Sequence, residues 1–334
     1  MTDPRIVIAG AGNIGCYLGG LLAAAGRRVT LLGRERIGDA LAEHGLHLTD
    51  LDGLDLGLGP GVVPFATDPV VLADADLILV TVKSGATAEM AALIAAHAPP
   101  HATVISLQNG IANADILRAA LRGRTVLAGM VPFNVGNLGD GHFHRGTSGS
   151  LVIEDRDPAA LAALTVPHLG VRAVPDIGPV QWGKLVINLN NALNALSGLT
   201  VFEQLQSRPW RRVMAAQQAE ALALLAQAGI DPVGIGKFPL KRFPAVLRLP
   251  TPLFRLLAKS SVRVDRRARS SMWDDLERRR PTEVGELQGA VIALAQRLGA
   301  TAPIAVRVTA LIRAAEAAGQ GSPGLAPAEV LPKR

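Results

Sequence analysis

The sequence predicts an α/β protein in which an N-terminal, doubly wound parallel sheet is followed by a mostly α-helical second domain. In the first half, short apolar segments alternate with helical ones, as in strands joined by crossover helices. After Val174 the pattern changes to long segments of helical spacing. With 334 residues, the chain is also longer than a single hydrophobic core usually supports. We therefore expect two domains, residues 1–175 and 176–334.

The first element is a strand, followed by a glycine-rich turn, a helix and a second strand. Residues 5–9 form a β-branched run, and leucines then recur at helical spacing as far as Gly26. In the turn between them, Gly10 would permit the tight bend, Gly12 would let the backbone approach a pyrophosphate, and Gly15 would let the helix pack closely on the sheet. Glycines also serve ordinary turns, but in this setting they predict a Rossmann-like dinucleotide site that comprises Gly10, Ala11, Gly12, Asn13, Ile14 and Gly15.

The end of the second strand indicates which dinucleotide binds. Enzymes that use NAD place an acidic residue there for the ribose hydroxyls, whereas this chain has Gly33-Arg34. An arginine can pair with a 2′-phosphate. Arg34 therefore favours NADP(H), although it could instead pair with Glu35 or Asp39 on the surface.

Two further apolar runs, residues 76–82 and 103–107, predict strands buried on both faces. They end at Lys83 and at Gln108-Asn109-Gly110. Lys83 alone could be a solvated lysine, and Asn109-Gly110 an ordinary turn. Because ligands bind at the carboxyl ends of parallel strands, we assign both Lys83 and Asn109 to the cofactor site. The irregular segment that follows contains His142 and His144, which we interpret as surface residues of a hairpin, with no metal bound.

The second domain is predicted to contain helices at residues 181–196, 209–228, 282–298 and 303–318. The first begins Gln181-Trp182-Gly183-Lys184 and continues through Asn188, Asn190, Asn191 and Asn194 in an otherwise apolar run. In one continuous helix, Lys184, Asn188 and Asn191 would fall within about 60° of one another. This pattern indicates either a polar network between packed helices or a site, in which desolvation would lower the pKa of Lys184 and suit it to donate a proton.

A second polar group follows at Ser270-Ser271-Met272 and at Pro281-Thr282-Glu283. Proline and threonine there resemble the start of a helix, so we expect Glu283 in its first turn. Glu283 could serve only that helix start, because the helix dipole favours a carboxylate there. Alternatively, its carboxylate lies near Lys184 or near the cofactor ribose.

The composition of the chain argues against partners of two kinds, nucleic acids and membranes. The net charge of +6 could attract nucleic acid, but aromatic residues make up only 3% and offer few platforms for stacking bases. The basic residues concentrate at Arg263, Arg266, Arg267 and Arg269, with Asp265, Asp274 and Asp275 nearby, which predicts a solvated helical face. We expect neither a nucleic-acid partner nor a membrane partner, since no apolar run reaches membrane-spanning length.

The expected location is cytoplasmic. The N-terminus leads almost directly into a strand, without the basic and apolar regions of a signal peptide. Cys16 is the only cysteine, so no internal disulfide can form, which fits a reducing compartment. We interpret Cys16 as a small core residue. A homodimer is compatible with the sequence.

In the order of these motifs, the chain resembles the ketopantoate reductase family, also called 2-dehydropantoate 2-reductases. The resemblance runs over nearly the whole chain, through the glycine turn, Lys83, Gln108-Asn109-Gly110, Trp182-Gly183-Lys184-Leu185 with Asn188, Ser270-Ser271-Met272 and Thr282-Glu283. It implies an NADPH-dependent reduction of ketopantoate to pantoate, in pantothenate and coenzyme A biosynthesis. By this resemblance Lys184 would be the general acid that protonates the carbonyl oxygen as hydride arrives.

The resemblance also implies roles for the polar residues around the lysine. Asn109, Asn188 and Ser271 would hold cofactor or substrate, and Glu283 would contact the cofactor and help order Lys184. The sequence departs from the family on the substrate side, where Ala192 and Ala268 occupy positions at which asparagine is expected. Asn191, next to Ala192, joins the expected substrate residues.

Because a lost hydrogen-bonding partner changes substrate preference, two alternatives to ketopantoate reduction remain open. One is an NADPH-dependent reductase of another 2-oxoacid, or of an opine-like or hydroxyacid substrate. The other is a non-catalytic NADP(H)-binding sensor.

Overall fold

The computed structural model describes residues 3–234, 239–258 and 268–331. The chain divides into two compact units, residues 1–177 and 178–334. Arg263, Arg266 and Arg267 of the predicted basic face lie outside the described residues. The fourth, Arg269, has its guanidinium 4.3 Å from the centre of the Trp273 ring and donates a hydrogen bond to the Gly198 carbonyl at 2.6 Å.

The first unit alternates strands and helices along most of its length. In chain order these are β1 (Arg5–Ala9), α1 (Asn13–Ala24), β2 (Arg28–Leu32), α2 (Glu35–His44), β3 (Leu46–Asp50), β4 (Asp55–Leu58), β5 (Phe65–Ala66), β6 (Leu77–Val80), α3 (Thr87–His97), β7 (Thr103–Ser106), α4 (Asn113–Ala120), β8 (Val126–Met130), β9 (Val135–Gly139), β10 (His142–Arg145), β11 (Leu151–Glu154), α5 (Pro158–Leu164) and β12 (Val171–Val174).

Eight of these strands form one sheet, in the order β12-β11-β8-β7-β6-β1-β2-β5. From β8 to β5 all neighbouring strands run parallel, as predicted. At the other edge β11 lies antiparallel to β8, and β12 runs parallel to β11, so this edge departs from the all-parallel expectation. The predicted α/β class is confirmed, with a mixed edge.

The sheet has an apolar core on each face because successive residues of a strand point to opposite sides. In β1, Ile6 and Ile8 belong to one core, and Val7 and Ala9 to the other. Cys16 lies in the first core with no exposed surface, and burial raises its pKa to about 12. The thiol is therefore the core residue that the sequence predicts.

A smaller sheet in the order β4-β3-β10-β9 contains the predicted hairpin, β9 and β10. Ring nitrogens of His142 and His144 both lie 2.8 Å from the Thr49 hydroxyl on β3. Across residues 3–234, 239–258 and 268–331, no group of three or more histidine, cysteine or acidic side chains is arranged to hold a metal ion.

The second unit is helical. Its helices are α6 (Gly178–Asn188), α7 (Asn190–Ser197), α8 (Val201–Gln206), α9 (Arg208–Gln227), α10 (Phe243–Arg248), α11 (Thr251–Ala258), α12 (Ser271–Glu277), α13 (Val284–Arg297), α14 (Pro303–Ala318) and α15 (Pro327–Val330). Three predicted helices correspond to α9, α13 and α14. In the described parts of the chain, no helix is both long enough and apolar enough to cross a membrane.

The predicted continuous helix over residues 181–196 is wrong, because the structure divides it into α6 and α7 at Leu189. The Leu189 carbonyl accepts hydrogen bonds from the side-chain amides of Gln217 and Gln288, each at 2.9 Å. Both glutamines are almost completely buried. Side chains that insert at a backbone carbonyl interrupt a helix, so these two amides account for the break.

Candidate active site

The glycine turn between β1 and α1 has a geometry that requires glycine at two positions. Gly10 has a φ of +120°, and a Cβ on it would lie 2.6 Å from the Val82 nitrogen. A Cβ on Gly15 would lie 2.2 Å from the Gly10 carbonyl oxygen. A Cβ on Gly12 would meet open space. Gly10 thus makes the bend, Gly15 allows the close packing of the helix, and Gly12 leaves room beside the backbone.

The N-terminus of α1 lies beside this open space and suits an anion. Gly12 precedes the helix, no side chain caps it, and the first turn contains no acidic residue. The first amides of a helix have no intrahelical partner, and the helix dipole adds partial positive charge. The side chain of Asn13 donates to the Val135 carbonyl at 2.9 Å, so it is held by the protein and does not cap the helix. Together with buried Ala11 and half-buried Ile14, these residues fit a dinucleotide pyrophosphate.

Arg34 lies at the end of β2, beside the glycine turn. The amides of Gly10 and Ala11 both donate to the Leu32 carbonyl, at 3.0 and 2.9 Å. A Cβ on Gly33 would lie only 2.6 Å from the Ala11 Cβ. Arg34 itself is exposed and forms no ion pair with a described residue, so the surface pairing with Glu35 or Asp39 is not observed.

Lys83 and Asn109 follow the neighbouring parallel strands β6 and β7, and β6 also pairs with β1. Their loops therefore lie at the same edge of the sheet as the glycine turn. Lys83 is exposed and Asn109 is half-buried. Arg34, Lys83 and Asn109 thus follow parallel strands at the edge of the sheet that carries the glycine turn.

A buried hydrogen-bond network joins the loops after β6 and β7. The Ser84 hydroxyl and the Asn113 side-chain amide donate to the Asn109 carbonyl, at 2.9 and 2.6 Å. The Gln108 amide donates to the Thr87 hydroxyl at 2.7 Å, and that hydroxyl lies 2.8 Å from the Asn113 Oδ1. The sequence analysis missed Ser84, Thr87 and Asn113. These polar residues lie in alanine-rich segments, and this pattern could have indicated a buried hydrogen-bond network.

Lys184 is half-buried on α6, in the second unit. Burial lowers its pKa to about 8, because desolvation disfavours the ammonium form, and the negative charge of Glu283 partly offsets that effect. A group with this pKa holds a proton at neutral pH and releases it readily. This is the property required of a general acid.

Gly183 fixes the packing of α6 next to Lys184. A Cβ on Gly183 would lie 1.7 Å from the Val233 carbonyl oxygen, so a backbone segment packs directly against the helix. The Val233 amide donates to the Pro179 carbonyl at 2.9 Å and holds the segment in place. This role of Gly183 could not be predicted from the sequence, because it depends on the distant Val233 carbonyl.

Glu283 lies one residue before α13, as its capping residue, so the prediction that it lies in the first turn is wrong. Its side chain makes no capping hydrogen bond. Neighbouring groups hold the turn instead: the Thr282 amide donates to Glu316 at 2.7 Å, and the Val284 amide donates to the Thr282 hydroxyl at 3.3 Å. The helix start therefore does not use the Glu283 carboxylate.

The asparagines after Lys184 divide into two groups. Asn194 is completely buried, and its amide donates to the Leu199 carbonyl at 2.9 Å while its oxygen accepts from the Ser270 amide at 2.9 Å. Asn190 donates to Gln204 at 3.1 Å. These two belong to a structural network between helices.

Asn188 and Asn191 form the other group. Both are half-buried, and neither side chain has a hydrogen-bond partner among the residues that the structure describes. The interruption of the helix at Leu189 lies between these two asparagines. Both remain candidates for contact with a ligand.

Ser271 is the exposed first residue of α12, and its neighbour Ser270 makes the structural contacts. The Ser270 hydroxyl donates to the Asn191 carbonyl at 3.0 Å and accepts from the Trp273 amide at 3.1 Å. Ala192 is completely buried, and the half-buried Ala268 accepts a backbone hydrogen bond at 2.9 Å. Neither alanine supplies a side-chain hydrogen bond to a ligand.

Comparisons with known proteins cover almost the whole chain. The family model described as Ketopantoate reductase PanE/ApbA matches residues 6–158, and the model of its C-terminal part matches residues 176–316. The 2-dehydropantoate 2-reductase of Halobacterium salinarum is 28% identical over 324 residues, which cover 94% of this chain and 100% of that protein.

Solved structures show the same similarity. The PanE/ApbA family ketopantoate reductase from Ralstonia eutropha JMP134 has a TM-score of 0.80 at 29% identity, covering 95% of this chain and 99% of that one. The ternary structure of D-mandelate dehydrogenase with NADH and anilino(oxo)acetate has a TM-score of 0.77 at 22% identity, covering 94% and 99%, which is a similarity of fold. Because the two family models together match most of its residues, this protein belongs to the ketopantoate reductase family of oxidoreductases, which act on CH–OH groups and use a nicotinamide cofactor.

Proposed function

We propose that this protein reduces 2-dehydropantoate to pantoate with NADPH, as a step of pantothenate and coenzyme A biosynthesis. The observation that carries the proposal is Lys184, a half-buried lysine whose pKa of about 8 lets it donate a proton near neutral pH. The H. salinarum relative bears the name of the same reaction.

The proposal assigns nucleotide binding to residues 1–175 and proton donation to residues 176–334. Bound NADPH supplies a hydride to the C2 carbonyl. The Lys184 Nζ donates a proton to the carbonyl oxygen, which would otherwise carry the developing negative charge. Glu283 stabilises the ammonium form before the transfer, consistent with its effect on the Lys184 pKa.

The remaining predicted residues bind and orient. The pyrophosphate would be held by Gly10, Ala11, Gly12, Asn13, Ile14 and Gly15, with Lys83, Asn109 and Glu283 as further cofactor contacts. Arg34 would pair with the 2′-phosphate, for which an exposed guanidinium without an ion pair among the described residues is suited. Substrate contacts are assigned to Asn109, Lys184, Asn188, Asn191 and Ser271.

The direct test is oxidation of NADPH in the presence of ketopantoate. We expect Lys184→Ala to lower kcat by about a hundredfold or more, because general acid catalysis typically contributes 10²–10⁴-fold. Lys241→Ala is the control, since Lys241 is exposed and its ammonium forms an ion pair with the exposed Asp231 at 2.9 Å. Unchanged kcat in Lys184→Ala would contradict the role of the lysine.

A second candidate function is the reduction of another 2-oxoacid. The small number of side-chain amides left to bind the substrate favours this alternative. Asn190 and Asn194 are engaged in structural hydrogen bonds, and Ala192 is completely buried, so few amides remain for the substrate hydroxyl. The fold neighbour D-mandelate dehydrogenase was solved with an oxoacid that carries an aromatic group. A panel of 2-oxoacids ranked by kcat/KM decides, and a tenfold preference for another acid would replace ketopantoate.

A further inference from the structure

A surface cavity of about 470 Å³ lies in the second unit, and none of the residues assigned to catalysis lines it. Its lining consists of Arg208, Arg212, Ala216, Arg248 and Leu331. The three arginines are exposed, and none forms an ion pair with a carboxylate of the described residues. Three like charges thus face one small volume.

The start of α9 makes this concentration of charge more unfavourable. Arg208 is the first residue of the helix, and Arg212 lies one turn later on the same face. The first turn contains no acidic residue, although the positive end of the helix dipole favours one there. Two exposed arginines at this position oppose both the dipole and each other. A bound anion would remove both costs.

Arg211, between them in sequence, adds a buried positive charge. It has no exposed surface, and its guanidinium donates to the carbonyls of Leu205 and Leu249 at 2.9 Å and of Leu247 at 3.2 Å. These acceptors are neutral, so they satisfy its hydrogen bonds without cancelling its charge. Burial is the main cause that lowers the Arg211 pKa, and the positive charges of Arg208 and Arg255 lower it further.

We propose that this cavity binds a phosphorylated small molecule. Guanidinium groups match phosphate oxygens in paired, bidentate geometry, and three of them favour a ligand with at least two negative charges. Ala216 and Leu331 supply apolar surface for the organic part, and the volume lies within the usual range for small-molecule sites. The site shares no residue with the proposed reductase site, so its occupant is a second ligand.

The test is calorimetric binding of inorganic pyrophosphate to the full-length protein. We expect Arg208→Ala/Arg212→Ala to weaken binding by about tenfold or more, since each lost charge-assisted hydrogen bond is worth about that factor. Arg297→Ala is the matched control, because Arg297 is an exposed helical arginine without an ion pair among the described residues. It should bind pyrophosphate as the wild type does.

Pyrophosphate could also occupy the nucleotide site, so the wild-type signal alone is not decisive. The comparison with the double variant isolates the cavity, and it involves no turnover, so it remains valid if the reductase proposal fails. Equal affinity in wild type and double variant would overturn the proposal. If the double variant does not fold, Arg248→Ala and Arg208→Lys/Arg212→Lys replace it, with weaker binding expected in each.

A further arm identifies the source of the phosphate. Sedimentation with vesicles that contain phosphatidic acid, abolished in the double variant, would assign the phosphate to a lipid headgroup. Pyrophosphate binding without sedimentation would assign it to a soluble metabolite. If the wild type neither binds pyrophosphate nor sediments with the vesicles, the cavity is not a phosphate site.

Discussion

At the scale of single residues, the central feature is the opposed influence of burial and charge on Lys184. Burial lowers the pKa of the amine. The negative charge of the Glu283 carboxylate partly offsets this effect, and the resulting pKa is about 8. This balance keeps a proton on Lys184 at neutral pH while leaving it weakly held. Because the Glu283 charge raises the Lys184 pKa, a substitution at position 283 should change the pH at which Lys184 loses its proton.

We expect kcat for carbonyl reduction to be constant at low pH and to fall as the pH rises through about 8, because the acid then loses its proton. Glu283→Gln removes the influence that raises the Lys184 pKa, so the falling limb should move to lower pH. The measurement is the pH profile of kcat in both proteins. A limb at the same pH in the variant would contradict the coupling between the two residues.

Arg34 determines the cofactor preference in our proposal. Removing a charged partner of the 2′-phosphate should cost about 1.5–3 kcal/mol, which raises the KM for NADPH by roughly 10- to 150-fold. We therefore expect Arg34→Ala to bind NADPH more weakly and NADH as before. Parallel titrations with the two cofactors measure this effect. An equal loss of affinity for NADPH and NADH would show that Arg34 does not bind the 2′-phosphate.

At the scale of elements, two backbone features position the lysine. The Val233 carbonyl packs on α6 at Gly183, and the Leu189 carbonyl accepts from two glutamine side chains where α6 ends. The first contact fixes the helix immediately before Lys184. The second separates Asn188 from Asn191. Both depend on residues distant in sequence, so they couple the site to the packing of the whole unit.

Gly183→Ala should destabilise the second unit, because its Cβ would lie 1.7 Å from a backbone oxygen and the segment must move. We expect a loss of about 2–4 kcal/mol in the free energy of unfolding, in the range of overpacked or strained sites. Gly289→Ala is the control, since its Cβ would meet only one atom, at 3.8 Å, within α13. That change should be neutral or stabilising by up to about 1 kcal/mol. Urea denaturation of both variants measures the difference, and equal stability would contradict the close approach.

At the scale of the whole molecule, the charge balance matches the proposed ligands. The chain carries a net charge of +6, whereas NADPH and a 2-oxoacid are both anions. A positively charged protein attracts anions over a distance that salt shortens. Arginines supply most of this charge, and several of them lie around the cavity at the start of α9.

We therefore expect kcat/KM for the 2-oxoacid to fall severalfold between about 20 mM and 300 mM salt, through KM more than through kcat. Steady-state kinetics in potassium chloride measures this, with sucrose at equal osmolarity as the control. A kcat/KM that is independent of salt would show that long-range attraction does not contribute.

The sequence by itself determined the α/β class, the helical second unit and the glycine turn. These follow from local rules: the periodicity of apolar residues and the need for glycine at a tight turn. The tertiary structure alone decided the break at Leu189, the structural engagement of Asn190 and Asn194, the capping position of Glu283 and the network at Asn109. These features depend on hydrogen bonds formed in the folded chain, several of them between residues far apart in sequence, and the pairing of a buried polar group with a distant partner leaves no local pattern in the sequence.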